Sequence, residues 1–233
     1  TRWNALVGTG NSNSALTVTA WFKSTMDNST SYIVNFGNDD MAFFVNNNGL
    51  LAFLATWSSG GSVYWRTIKP VVPVGQLVHV AVTYDYSSAS NNAKLYLNGV
   101  EYTVLELSGP PAGSFSAVSG DSFMGEFDGN HSNQQLSNVG IWSKVLSSSE
   151  IKRIYDGGVS PTEALSLSED LAAYYQFTSD DSGLGRDTSA QILDRSGNNR
   201  HSTAVSNVTI SREDSATLVE AIVFPSASEI FGV

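Results

Sequence analysis

The chain has 233 residues, a formal net charge of −10 and no cysteine. The charge argues against sequence-independent nucleic-acid binding, because a phosphate backbone would be repelled, and the absence of Cys excludes disulfides and thiolate metal sites. Only 15% of the residues are charged while 11% are aromatic, and Gly, Ser, Asn and Thr are abundant, which is the composition of short β-strands joined by polar turns.

The first periodic segment is LTVTAWFK, where Leu16, Val18, Ala20 and Phe22 share one face and Thr17, Thr19, Trp21 and Lys23 the other. That period of two predicts a strand. SYIVNFG follows, and then MAFFVNNNGLLAFLAT, which reads as a hairpin around Asn46-Asn47-Asn48-Gly49 because Asn and Gly tolerate positive φ. GSVYWRTI is a further strand, and the Pro-rich KPVVPVG an exposed connection. In GQLVHVAVTYDYS, Leu77, His79, Ala81, Thr83 and Asp85 alternate with Val78, Val80, Val82 and Tyr84. Asn98-Gly99 is the clearest hairpin signal, flanked by Leu95 and Leu97 on one side and Val100, Tyr102 and Val104 on the other. DSFMGEFDGN and LSNVGIWSKVL supply further strands. Ser147 and Glu150 form a capping box that opens one short helical turn near 148–156, closed by Gly157-Gly158. A linker over 159–170 leads to the strand AAYYQF, a set of polar loops, and a last apolar stretch, TLVEAIVFP. The prediction is an all-β fold: a two-sheet antiparallel jelly-roll β-sandwich with that one helical turn.

LTVTAWFKS, GQLVHVAVTYD, AKLYLNGVEY and GEFDGNHSNQQLSNVGIWSKVLSSSEIKRIYDGG resemble, in that order, the core blocks of laminin-G-like domains of the concanavalin-A-like lectin/glucanase superfamily. The resemblance covers residues 16–158. In many members a block like LAAYYQF…ILDRSGNNRHSTA opens the domain; here it follows the helical turn. Two organisations are open: a second domain from Leu171, or a single domain over 1–233 in which 171–233 returns to complete the sandwich. The second is preferred, because the residues from 171 onward hold none of the other core blocks. Core first and YYQF…DRSGN last resembles laminin-G-like domains of viral and phage structural proteins.

DRSGNNRHS raises the question of a metal. Asp194, Ser196 and Asn198 sit at alternate positions, so their oxygens can converge on a hard cation such as Ca²⁺. The other reading is an Asx-turn in which Asp194 bonds its own backbone. The resemblance implies a structural Ca²⁺ near this loop with help from an acid before the NVGIW-type strand. Ser137 stands at that position here, with Asn138 beside it, so a carboxylate is missing. Asp39-Asp40 and Asp180-Asp181 are rival acidic pairs that read as solvated turns. Glycosidases of the superfamily carry two acids on one strand; the nearest stretch is Glu126 to His131, where His131 stands in place of the second Glu, so catalysis is not expected. His79, His131 and His201 have no metal spacing. Asn-x-Ser/Thr sequons fall at Asn28, Asn130 and Asn207, the pattern of N-glycosylation and equally of composition.

Sugars are held by aromatic faces with planar polar groups. Trp57, Tyr64 and Trp65 flank the SSGGS turn, and Asp128, Asn130 and His131 lie in a polar loop; together they form the candidate ligand-binding set, while packing is the competing reading for each Trp. Trp142 falls in a core block and reads as packing. The functional expectation is a non-enzymatic adhesion or glycan-binding (lectin) sandwich, extracellular or on a virion surface as a viral structural or decoration component. The partners are surface polysaccharide or neighbouring structural subunits, with homo-oligomerisation open and neither nucleic acid nor membrane insertion expected. The alternatives are a purely structural subunit-packing module and, more weakly, a glycan-cleaving enzyme. A start at Thr1 without Met reads as a mature product or a fragment.

Overall fold

Alternation decides which side of each strand is buried, and β1 (Ala15–Ser24) shows both sides at once. Leu16, Val18, Ala20 and Phe22 enter the core between the two sheets, while Thr17 and Thr19 are buried on the opposite face. The computed structural model describes residues 14–24, 29–37, 39–116, 118, 122–127, 130–131, 134–177, 192–202, 209–212 and 220–224. After β1 come β2 (Ser31–Phe36), β3 (Met41–Val45), β4 (Leu51–Ser59), β5 (Gly61–Thr67), β6 (Leu77–Asp85), β7 (Lys94–Leu97) and β8 (Val100–Tyr102). Then follow β9 (Val104–Leu107), β10 (Ala112–Phe115), β11 (Phe123–Met124), β12 (Glu126–Phe127), β13 (Asn130–His131) and β14 (Gln134–Trp142). The helices α1 (Ser148–Asp156) and α2 (Thr162–Ser166) precede β15 (Leu171–Tyr175), β16 (Thr209–Arg212) and β17 (Glu220–Phe224).

Two antiparallel sheets form the sandwich. The first runs β16-β17-β14-β1-β6-β7-β8, and the second β11-β2-β3-β4-β5-β9 with β10 on β4. One edge of β14 is held by β1 along its length. Its other edge is shared: β17 pairs with Gln134–Leu136 and β15 with Val139–Trp142. Asn138 lies between these two segments with φ +50°, a bulge that lets both Leu136 and Val139 face the core. The Asn98-Gly99 turn has φ +50° and +75°, as a tight hairpin requires. Asn98 also clamps the turn to β6, accepting the His79 N–H on its side-chain oxygen and donating its own N–H to the His79 carbonyl.

The outer face of the first sheet is covered. Ala81, Tyr96, Trp142 and Tyr174 form a second apolar cluster with Ile151 and Ile154 of α1 and Ala164 of α2. The capping box of α1 is complete, with Ser147 Oγ accepting the Glu150 N–H and Glu150 accepting the Ser147 N–H. Helix α2 corrects the expectation of a plain linker over 159–170. It has no side-chain cap and is held by burial of Ala164 and by the Trp142 indole, which donates to the Leu167 carbonyl at 2.8 Å. A local start signal is present in Ser160-Pro161-Thr162-Glu163, where Ser160 Oγ accepts the Thr162 N–H at 3.4 Å, and tertiary packing holds so short a helix in place.

Candidate functional site

The outer face of the second sheet carries an aromatic row, in which Phe44 is 8% exposed and Tyr32 and Tyr64 are partly buried beside it. Register explains how the row arises. In β3, Met41, Phe43 and Val45 point into the core, so Ala42 and Phe44 point out. In β2 a bulge between Tyr32 and Val34 turns Ile33 and Val34 both inward and leaves Tyr32 outside, opposite Phe44. In β5, Val63 and Trp65 point in and Tyr64 and Arg66 point out. Tyr32 stacks on Phe44 at 5.2 Å between ring centroids, and Phe44 stacks on Tyr64 at 5.7 Å. Tyr64 reaches Phe44 across β4, where the outward residue opposite Phe44 is Ala52, small enough to leave room. From β2 to β5 the row crosses three inter-strand steps, about 14 Å.

Polar groups frame it. The Asn46 side chain lies near the Tyr64 phenol, its Oδ1 occupied by the N–H groups of Asn48 and Leu50. Burial pushes the Tyr64 phenol up, opposed by the Arg66 guanidinium and by Asn46. At the other end burial, then Asp39 and Tyr64, push the Tyr32 phenol up to about 12. Asp39 is itself held above the usual carboxylate range by burial, with Asn35 opposing and Asp40 adding to the rise. It is fixed by reciprocal bonds with Asn35, whose amide donates to Asp39 Oδ1 and whose carbonyl accepts the Asp39 N–H, both at 2.9 Å. Both phenols stay protonated at neutral pH, so the face offers neutral hydroxyls between a carboxylate and a guanidinium.

The sequence-derived ligand set divides. Tyr64 lies in the row. Trp57 and Trp65 do not: both are core residues, 4% and 0% exposed. Trp57 donates its indole N–H to the Tyr84 hydroxyl at 3.1 Å and meets Phe115 edge-on. Trp65 stacks on Phe53 and donates to Asn92 Oδ1. Neither has a face left for a sugar, because strand alternation and not proximity to the turn sets their direction. Asn130 and His131 form β13, paired with Phe127 and Glu126 of β12. Asp128 lies outside the described residues, as do Asn28, Asn207, Asp180 and Asp181. Tyr32 and Phe44 are members that the sequence reading missed.

The donors proposed for Ca²⁺ are engaged otherwise. Asp194 Oδ1 accepts the N–H groups of Tyr174 and Ser196, and Oδ2 accepts that of Arg200, each at 2.9 Å. Burial alone would raise its pKa; these backbone donors outweigh burial and hold the carboxyl below its usual range. Asn198 turns its amide nitrogen inward, donating to the carbonyls of Leu171 and Ala172. Ser196 Oγ accepts the Asn198 N–H. Asn138 Oδ1 accepts the hydroxyl of Tyr174 at 2.8 Å, at the far end of the residue whose N–H binds Asp194. A cation at Asp194 would face three N–H groups and no second carboxylate. The donor set does not fit Ca²⁺; it is an Asx-turn that docks 192–202 onto β15. Among the described residues no cluster of three or more His, Asp or Glu is arranged to hold a metal.

A cleft of about 710 Å³ at the β7–β8 edge is lined by Thr83, Asp85, Asn91, Lys94, Glu101 and Val145. Its charged groups serve each other: Lys94 pairs with Glu101 at 3.2 Å, and Glu101 also accepts the hydroxyls of Tyr96 and Ser148.

A laminin-G family model, described as concanavalin A-like lectin/glucanases superfamily, matches residues 3–152. Among solved structures, a candidate carbohydrate binding protein from Bacteroides ovatus is similar at 21% identity with a TM-score of 0.57, covering 82% of this chain and 52% of its own. The chain thus spans about half the length of that protein. A heptameric SAP-like pentraxin from Limulus polyphemus is 17% identical with a TM-score of 0.44, covering 64% of this chain and 79% of its own. The sialyllactose-bound CBM40 of a Ruminococcus gnavus IT-sialidase is 14% identical with a TM-score of 0.41, covering 61% and 83%. The likeness to the Bacteroides ovatus protein shows the fold. No curated protein matches the chain.

Proposed function

Because the chain belongs to the concanavalin A-like lectin/glucanases superfamily, we propose that it is a non-enzymatic carbohydrate-binding module whose saccharide lies along the Tyr32-Phe44-Tyr64 face of the second sheet. The observation that carries this reading is the outward aromatic row with a carboxamide, a carboxylate and a guanidinium at its ends. Aromatic rings combined with a few convergent polar groups are the chemistry of sugar recognition. The rings stack on one another, so the row is not a flat platform: Phe44, 8% exposed and stacked by both Tyr32 and Tyr64, supports the two tyrosines that carry the contact. Tyr64 stacks on Phe44 by one face, and its other face and its hydroxyl meet the sugar.

The partner is a surface polysaccharide, and the place of action a cell or virion surface. The order of the sequence blocks supports the viral setting, and the pairing of both β15 and β17 with β14 supports one domain over 1–233. Among the described residues no helix is long and apolar enough to cross a membrane.

A second reading, a structural module that packs against neighbouring subunits, is favoured by the apolar character of the same face. Leu54 is half-buried there, and Leu105 on the edge strand β9 is 43% exposed. One experiment separates the two: a glycan array with wild-type, Tyr32→Ala and Tyr64→Ala protein, paired with light scattering. Glycan binding by a monomer, lost in both variants at unchanged melting temperature, supports the module. Oligomers that the variants dissociate, with no glycan bound, support the packing reading instead.

A further inference from the structure

Arg66 sits on the proposed sugar face with no counter-ion among the described residues. It is half-buried beside Tyr64, its cross-strand neighbours are Ala52 on β4 and Leu105 on β9, and no hydrogen bond or ion pair engages its guanidinium among the described residues. Four other described cations are paired: Lys94 with Glu101, Lys144 with Glu150 and Glu169, Lys152 with Asp156, Arg153 with Glu163. A partly desolvated guanidinium between apolar neighbours is costly unless a partner arrives. Its planar fork of N–H donors matches a carboxylate with two parallel bonds, a geometry that an ammonium does not offer.

Resting on the carbohydrate-binding reading, we infer that the site selects a saccharide carrying a single carboxylate, a uronic-acid residue seated on Arg66 while its neutral neighbours run over Tyr64 toward Tyr32. The direction follows from charge. An acid group at the Tyr32 end would meet Asp39, and Asp40 adjoins it. A long run of uronates is disfavoured for a second reason, the chain's net charge of −10. The ligand is therefore sparsely acidic and bound in one polarity.

The test uses the full chain and matched pairs of oligosaccharides on gluco-, xylo- and galacto- backbones, each neutral member set against one of equal length with a single terminal uronate. Binding is measured calorimetrically at low and moderate salt. The expected result is that the acidic member of at least one pair binds about tenfold tighter, that Arg66→Gln brings the ratio to about one, and that Arg66→Lys restores it only in part. Unchanged melting temperatures establish that the variants are folded. Equal binding of acidic and neutral members, or a preference that survives Arg66→Gln, overturns the inference and leaves the carbohydrate reading standing. No binding to any pair by folded protein removes both.

Discussion

Tyr64 and Trp65 are adjacent in the chain and point to opposite sides of β5, Tyr64 onto the outer face beside Phe44 and Trp65 into the core against Phe53 and Tyr84. The same chemical deletion at the two positions should therefore have opposite consequences. Tyr64→Ala is expected to weaken saccharide binding with little loss of stability. Trp65→Ala removes a fully buried indole and should cost about 3–5 kcal/mol. Denaturant unfolding and a binding titration on both variants check this; a Trp65→Ala protein as stable as wild type would contradict the core assignment.

Asp194 satisfies three backbone N–H groups, so its loss leaves buried donors without an acceptor. Asp194→Ala should destabilise the protein by about 3 kcal/mol. Added Ca²⁺ should leave the melting temperature of the wild type where it was. The pH dependence has a definite sign. The folded pKa is depressed, so the carboxylate's contribution is present above the unfolded value of about 3.9 and is lost as pH falls below it through the folded value. Acid titration of stability, with the variant as reference, reads that loss.

His79 is buried between Trp21 and Tyr155, 5.5 and 6.1 Å from their rings, with no hydrogen bond to either ring nitrogen. Burial pushes its pKa down to about 3. Because the unfolded chain binds this proton near pH 6.5, stability should decline as pH falls from about 6.5 toward 3, with a slope of up to about 1.4 kcal/mol per pH unit from this residue. His79→Phe keeps the aromatic packing and removes the titration. Its stability between pH 7 and 4.5 should be flatter than that of the wild type, and equal slopes would count against a neutral buried imidazole.

Gly140 lies directly under the Trp142 indole. A Cβ there would stand 2.5 and 2.6 Å from two ring carbons. Gly140→Ala should therefore displace the indole from the Leu167 carbonyl and cost about 1–3 kcal/mol. Trp fluorescence and thermal unfolding would detect the shift.

Much of the fold was legible in the sequence because the signals are local. The alternation of residues 16–23 and 77–85, the Asn98-Gly99 turn and the Ser147/Glu150 box each follow from two or three neighbouring residues. Strands β9 and β10 were not legible, because they owe their pairing to partners on β5 and β4; helix α2 had a start signal in Ser160-Pro161-Thr162-Glu163, but its shortness leaves it dependent on burial beneath Trp142. The site was half legible. Tyr64 was found beside its turn, but SYIVNF and MAFFV are continuous apolar runs in which no period shows which side is out. The bulge at Ile33 then shifts the phase of β2, and only the paired register puts Tyr32 over Phe44. Trp65 was avoidable, because its alternation with Tyr64 between Val63 and Thr67 already separates the two rings.

The divided edge of β14 bears on how the chain is made. During synthesis from the N-terminus, β14 leaves the ribosome with β1 already available and with its opposite backbone edge bare. Half of that edge waits for residues 171–175 and the other half for residues 220–224. A nascent chain stalled between these points presents a row of unpaired N–H and C=O groups, the kind of edge that recruits strands from other molecules. Translation speed and chaperone cover across residues 142–224 should consequently govern the yield of soluble protein more than the finished fold's stability does.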